Sequence, residues 1–538
     1  LYQIKSEKIR ENTELQMERN RDYLQIKNQL GIADKEDILT KARNHYETIP
    51  RKKRAMIFND LIVERYLNFQ EMKEASLKVL VHLSFLFMSY PEKKNNFGFK
   101  VSNLSVEKKI FYEFASSFEE SFTLEHFFKV EEDSMIRRAF VNYNSDYPSI
   151  SRGEYLMLFR EYNEVSKKKY NFSIYDNYLY IANITSGRNS GWLSEKKLKN
   201  FFRGSGLEIN EINSLFFDIS ILNKDDIQFL EIQTKMLGKL GIKYEQGYYI
   251  PQTWFIFENL FNYLAENKKE DATEILEGYA QRLFSSFFGK SNVSLNNYDK
   301  GRNEQDIIIS LEDTILLVEC KSNNFTRISD DDLRTEEKLQ NTFNSAIQYG
   351  ANQCLRAEKY IKDNDPAEYY DSNKKRGRNK ILEINKGSEK TILKIVVLLN
   401  DYLNLAESSN QFLEESTKNV WVVNMFALEK ILWKLGNVSD FIEYAIHRCS
   451  NIQTIEARTS DELVQLGYFI SPIFKNFIPQ NNMFATVSAG NNFANWANEY
   501  EVSKDLNEFN YWVNYQLAKG NYSKKQIEKI CNVKIDKI

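Results

Sequence analysis

The stretch Asp306-Ile307-Ile308-Ile309-Ser310-Leu311-Glu312-Asp313-Thr314-Ile315-Leu316-Leu317-Val318-Glu319-Cys320-Lys321 decides the fold of this chain. Ile307 to Ile309 and Ile315 to Val318 are two short apolar runs, and Leu311 to Thr314 between them reads as a turn. Pairing the two strands about a centre between Glu312 and Asp313 sets Asp306 directly opposite Glu319. Cross-strand partners share a face and have neighbouring side chains. Alternation along the second strand puts Lys321 on the face of Glu319 and turns Cys320 to the other. Two carboxylates and one ammonium therefore converge at one end of two oily strands. A like-charged pair beside an apolar sheet is costly unless something neutralises it, and a divalent cation with hard oxygen ligands does so.

Glu-x-Lys spacing alone carries no information here, because it also starts at Glu92, Glu107, Glu195, Glu266 and Glu336. Those lie in polar sequence of helical or loop character, where a solvated charged face explains them. Only Glu319-Cys320-Lys321 ends a buried-looking strand with a matching upstream Asp. The plain alternative is a surface hairpin with a charged end.

Asp306 followed by Glu319-Cys320-Lys321 resembles the PD-(D/E)xK nuclease superfamily, the restriction-endonuclease-like fold. The wider stretch is similar to nuclease-related domains of bacterial proteins. Gln305 stands where the superfamily's name has proline. The resemblance implies a preceding core helix with an inward Glu. The segment from Leu276 to Phe284 places Glu277, Ala280 and Leu283 at helical spacing, making Glu277 the matching position and Glu274, one turn earlier, the alternative. The resemblance further implies Mg2+, with Mn2+ as a substitute, held by Asp306, Glu319 and the backbone carbonyl of Cys320. Lys321 would orient the attacking water and offset transition-state charge. It also implies a Gln on the next helix near the metal, for which Gln348 is the candidate; a solvated amide is the alternative.

Downstream, Leu339, Phe343, Ile347, Cys354 and Leu355 recur at roughly helical spacing, with Asn341, Asn344, Gln348 and Asn352 on an adjacent flank. Ile392 to Leu399 and Val420 to Asn424 read as buried strands, followed by a helix from Ala427 to Leu435. Strand, crossover helix and strand imply parallel pairing. The expected fold is an α/β core, a mixed sheet of four or five strands flanked by helices and restriction-endonuclease-like, inside a mainly α-helical multidomain chain. We divide it as 1–247, a mostly helical accessory or sensing domain; 248–450, the nuclease domain; and 451–538, a helical C-terminal region. Within the first, an aromatic patch from Phe172 to Ala182 reads as β, with a turn at Asp176-Asn177.

The 538 residues carry 72 Lys and Arg against 75 Asp and Glu, a formal net charge of −3. This argues against a uniformly basic nucleic-acid binder and focuses attention on local clusters. Lys374, Lys375, Arg376 and Arg378 lie in a polar stretch between the Gln348 helix and the Ile392 strand, where they could reach a substrate backbone. Arg51 to Arg54 and Lys167 to Lys169 are further basic runs, and solvated loops are the ordinary explanation of all three. The four His and four Cys show no zinc spacing, and no Walker loop, dinucleotide fingerprint or Gly-x-Ser-x-Gly elbow occurs. Few cysteines and no signal peptide predict a cytoplasmic protein, and no apolar run is long enough to span a bilayer. The Lys-, Asn-, Ile- and Tyr-rich composition suggests a low-GC bacterium.

These readings converge on a Mg2+-dependent nuclease acting on DNA, with a role in bacterial defence against phage or foreign DNA implied by the resemblance. Its partners would be nucleic acid, a second copy of the chain, or an activating phage or host factor, with no membrane. A ribonuclease on the same fold, a noncatalytic nucleic-acid-binding scaffold and a helical interaction protein with an incidental hairpin are the alternatives.

Overall fold

The computed structural model describes residues 27–67, 77–93, 104–129, 151–185, 191–221, 238–252, 269–323, 332–399, 409–450, 462–471 and 497–531, except 172 and 521, with isolated positions elsewhere. It is a chain of helices built around two mixed β-sheets.

The opening stretch folds as a hairpin. Strands β6 (Glu304–Ser310) and β7 (Thr314–Lys321) pair antiparallel, Ile307 with Val318, Ile308 with Leu317 and Ile309 with Leu316. The Leu311 N–H closes the turn on the Thr314 carbonyl at 2.8 Å. Continuing this register by one step sets Asp306 across from Glu319. Strand β10 (Thr391–Leu398) runs parallel to β7, and β11 (Val420–Asn424) parallel to β10. Both faces of β7 are covered, which explains its unbroken apolar run from Ile315 to Val318. Ile307, Ile309, Leu316, Val318 and Cys320 face one core, together with Leu276, Ala280 and Phe284 of the helix Lys269–Phe288. Ile308, Ile315 and Leu317 face the other, with Cys354, Ala357 and Ile361 of the helix Tyr349–Asp363.

Among the described residues the sheet has seven strands rather than four or five, in the order β11-β10-β7-β6-β5-β8-β9. The additional members are β5 (Val293–Tyr298), β8 (Ala367–Tyr370) and β9 (Lys380–Ile384). Each is short and buries only one or two side chains (Asn297 in β5, Ala367 and Tyr369 in β8, Ile384 in β9), so hydrophobic periodicity does not reveal them. Strand β5 is held by the β6 ladder, and β8 by a bridge from Tyr370 to Tyr298.

The helices used below are labelled in chain order: α1 (Lys35–Tyr46), α2 (Arg51–Leu67), α3 (Leu77–Ser89), α4 (Leu104–Lys129), α5 (Arg152–Glu161), α6 (Lys269–Phe288), α7 (Asp332–Phe343), α8 (Tyr349–Asp363), α9 (Met425–Leu435), α10 (Val438–Cys449) and α11 (Ala497–Lys519). Helices α1 to α4 pack around a buried aromatic group in which the Tyr46 ring lies 5.0 Å from both Phe58 and Phe87. None of the described helices is long and apolar enough to cross a membrane.

Four corrections concern the N-terminal half. A second sheet, β1 (Gly191–Leu193), β2 (Phe216–Asp218), β3 (Gly241–Tyr244) and β4 (Gly247–Ile250), has the order β1-β4-β3-β2. It escapes sequence reading because its strands have only three or four residues each. Gly247 permits it, since a Cβ there would stand 2.5 Å from the Leu193 carbonyl oxygen. The limit read at 247/248 falls inside the β3–β4 hairpin. Residues Tyr178–Ile184 are helical rather than extended, and Tyr178, Leu179, Tyr180 and Ile181 are all buried, so packing overrides their β propensity. The basic run Arg51 to Arg54 opens α2 rather than forming a loop; Arg54 is fully buried and donates to the carbonyls of Phe87 and Tyr90.

Helix α11 shares the core of the large sheet through α5 and α9. Trp512 donates to the Tyr175 carbonyl at 2.7 Å, and Arg160 bonds Glu508 at 2.8 Å. Beneath them Lys430 of α9 lies 2.9 Å from Glu501 of α11 and 3.5 Å from the fully buried Glu154 of α5. Removing one partner of such a group leaves an uncompensated buried charge. Lys430→Ala should therefore cost about 3 to 5 kcal/mol in chemical denaturation, and adding Glu154→Gln should recover part of the loss. Additive losses would mean the two groups do not interact.

A candidate metal-dependent hydrolytic site

Asp306 and Glu319 come from the paired ends of β6 and β7, where the alternation that buries Ile308 and Leu317 points both toward α8. Glu319 is fully buried and Asp306 is 8% exposed. The Lys321 ammonium is 2.7 Å from Glu319 Oε2 and 4.0 Å from Asp306 Oδ2. The N–H of Cys320 donates to Asp306 Oδ2 at 2.7 Å, fixing that carboxylate against the neighbouring strand. The Cys320 side chain is buried on the opposite face, so its contribution here is main-chain.

Burial and then the charge of Asp306 push the Glu319 carboxyl up to about 8. Burial likewise raises Asp306, although Lys321 and the Cys320 N–H pull the other way. Burial works against the Lys321 ammonium, but Glu319 and Asp306 outweigh it and hold its pKa above the ordinary value.

Helix α6 brings Glu277 to the same charges. Burial, then Asp306 and Glu304, raise its carboxyl to about 7, and Lys321 opposes the rise. Glu274, one turn earlier, is exposed. Thr273 Oγ1 lies 2.6 Å from Ser322 Oγ, tying α6 to the residue after Lys321.

Gln348 has other partners. It ends a π turn, Asn344–Gln348, and its amide donates to Asn352 and Thr417 and accepts the Glu414 N–H at 2.9 Å. Those contacts hold the loop before β11, and none reaches Asp306, Glu319 or Lys321. The next residue faces the lysine instead: the Tyr349 ring centroid is 5.5 Å from the Lys321 ammonium, and the ring is 56% exposed. Gly350 makes the approach feasible, because a Cβ there would sit 3.2 Å from Lys321 Cε and 3.1 Å from Val396. Sequence reading missed Tyr349, since regular helical spacing gives no hint of a π turn. Glu304, two residues before Asp306, was accessible to period-2 counting; its carboxylate accepts the Tyr298 hydroxyl.

The basic cluster occupies the β8–β9 turn. Lys374, Lys375 and Arg376 are exposed. Arg378 is committed within the protein, with its guanidinium 4.0 Å from the Tyr370 ring and one N–H donating to the Asp299 carbonyl. Asp299 belongs to the loop leading into β6, so the cluster lies toward the sheet end that carries Asp306.

Among the described residues no group of three His, Cys, Asp or Glu side chains is spaced to hold a metal ion. Two carboxylates and a main-chain oxygen still suit Mg2+, which retains several waters and uses only one or two carboxylates. Glu319 Oε1 supports that fit, being buried with no hydrogen-bond partner.

A carboxyl whose pKa is higher folded than unfolded keeps its proton longer in the native state, so stability falls as pH rises between the two values. For Glu319 that window runs from 4.5 to about 8. In chelator-containing buffer, melting temperature should fall across it, and Mg2+ should restore stability increasingly toward its upper end. Asp306→Asn should flatten the metal-free decline and abolish the Mg2+ shift; an unchanged shift would exclude Asp306 as a ligand.

The chain matches no family model, no curated protein and no solved structure.

Proposed function

We propose that this chain is a Mg2+-dependent nuclease that hydrolyses phosphodiester bonds of DNA on a restriction-endonuclease-like core. The observation that carries this reading is the pair of buried carboxylates, Asp306 and Glu319, with the Lys321 ammonium 2.7 Å from one and 4.0 Å from the other. A purely structural hairpin has no reason to bury two like charges at its end. Bound Mg2+, or Mn2+ in its place, would supply Lewis acidity and a more acidic water.

The residues of the chain supply the rest. Asp306 and Glu319, with the Cys320 carbonyl, would hold the ion. Lys321 is long, cationic and anchored at its base by the sheet, so its ammonium can orient a water and offset negative charge on phosphorus. Glu277, half-buried and raised to about 7, can take up or release a proton near neutrality. Lys374, Lys375 and Arg376 provide a mobile-charge contact for phosphates flanking the cut, while Arg378 shapes the turn that presents them. Gln348 is assigned to the architecture of the β11 loop rather than to the metal.

The near-neutral overall charge makes nonspecific affinity low. That suits a cytoplasmic defence enzyme controlled by its flanking regions, by a second copy or by an activating factor, and it is the biological role we propose.

Purified chain with Mg2+ should cut supercoiled, linear or single-stranded DNA. Asp306→Ala and Lys321→Ala should each lower the rate at least about a hundredfold, and Glu277→Gln should shift the pH profile as well as the rate. Equal rates in wild type and both alanine variants would refute the site. Cleavage of RNA alone would leave the chemistry intact and replace DNA with RNA as the substrate.

A further inference from the structure

A cavity of about 850 Å³ lies at the seam between the N-terminal helices and the small sheet, remote in sequence from the carboxylate site. Its lining joins Arg51 and Lys52 from the start of α2, Trp192 of β1, Lys197 of the helix Glu195–Phe201, and Lys243 and Tyr244 of β3. The volume is that of a site for a small organic ligand.

The chemistry of the lining is two-sided. The half-buried Trp192 forms an aromatic wall backed by the buried Tyr244, with ring centroids 5.5 Å apart and planes at 33°. Arg51 places its guanidinium 5.0 Å from the Tyr244 ring centroid, and its Nε is shut off from solvent with no hydrogen-bond partner. Lys52 and Lys197 are exposed at the rim and make no ion pair among the described residues. Carboxylates also line the cavity, but two are already engaged. Asp218 accepts from Ser220 and lies 3.3 Å from Lys243. Glu92 accepts the Arg51 N–H at 2.6 Å, so the start of α2 is capped from within. Glu245 is exposed on the β3–β4 turn. The cations left over are therefore Lys52 and Lys197, with the Arg51 guanidinium beside the Tyr244 ring.

A ligand suited to this lining has a flat aromatic part and an anionic part. We propose that the cleft binds a nucleoside phosphate, with its base against the Trp192 and Tyr244 wall and its phosphates toward Lys52, Lys197 and Arg51. The ligand would bridge α2 to β1 and β3, tying the N-terminal helices to the small sheet. This inference stands apart from the hydrolytic reading and needs neither metal nor Asp306.

Calorimetric titration of the full chain in metal-free buffer, with ATP, AMP, adenosine and inorganic phosphate, tests it. At least one nucleotide should bind more tightly than either adenosine or phosphate. Lys52→Glu combined with Lys197→Glu should weaken that binding by at least about tenfold, a change of about 1.4 kcal/mol. Both side chains are exposed, so the variant should melt like the wild type. Trp192→Phe should retain most of the affinity, whereas Asp306→Asn should retain all of it. No binding by either nucleotide, phosphate binding as tightly as the nucleotides, unchanged affinity in the double variant, or loss of binding in Asp306→Asn would each overturn the proposal.

Discussion

Glu319, fully buried beside a second carboxylate, is the group around which the large sheet is arranged. An ionised carboxylate in such a place needs a counter-charge held within reach, and Lys321 supplies one from two residues later on the same strand face. Lys321 can serve only if β7 stays regular to its last residue, and β10 ensures this by pairing with it as far as Leu398 opposite Lys321. Helix α8 then passes close over the ammonium, an approach that the missing side chain at Gly350 eases. Local strand alternation, parallel pairing and a single glycine thus serve one electrostatic requirement. Burial and Asp306 raise the Glu319 carboxyl even with Lys321 beside it, a demand that a proton or a divalent ion can satisfy.

The same sheet end is supported from its other face. Helix α6 contributes apolar residues to the core and, on an adjacent flank, the half-buried Glu277. Its neighbours in turn reach α11, because α9 carries the buried Lys430 that joins Glu154 to Glu501. The elements flanking the large sheet in sequence therefore share its interior. Changes in α5 or α11 have a direct mechanical route to α6, through packed side chains and a desolvated ion-pair group.

Much of the central site was legible before any coordinates. Counting from the turn paired Asp306 with Glu319, because turn type and loop length fix the register of a hairpin. Helical spacing favoured Glu277 over Glu274, and the structure finds the former half-buried and the latter exposed. The crossover strands from Ile392 and Val420 were visible as apolar runs, since strands covered on both faces must be apolar throughout. Other features left no such trace. Strands β5, β8 and β9 bury only one or two side chains each, the strands of the small sheet are very short, and the aromatic run from Tyr178 is helical because its surroundings bury it.

What the sequence determined by itself was the pairing of Asp306, Glu319 and Lys321, since alternation and turn length are properties of a few adjacent residues. Tertiary structure alone decided which groups meet that trio. It gave the amide of Gln348 to the loop before β11 and turned Tyr349 toward Lys321. It also buried Arg54 of an apparently solvated basic run and left Arg51 and Lys52 lining a cavity with Trp192. The physical reason is that such contacts join elements distant along the chain, and a side chain's partner there is set by packing rather than by spacing.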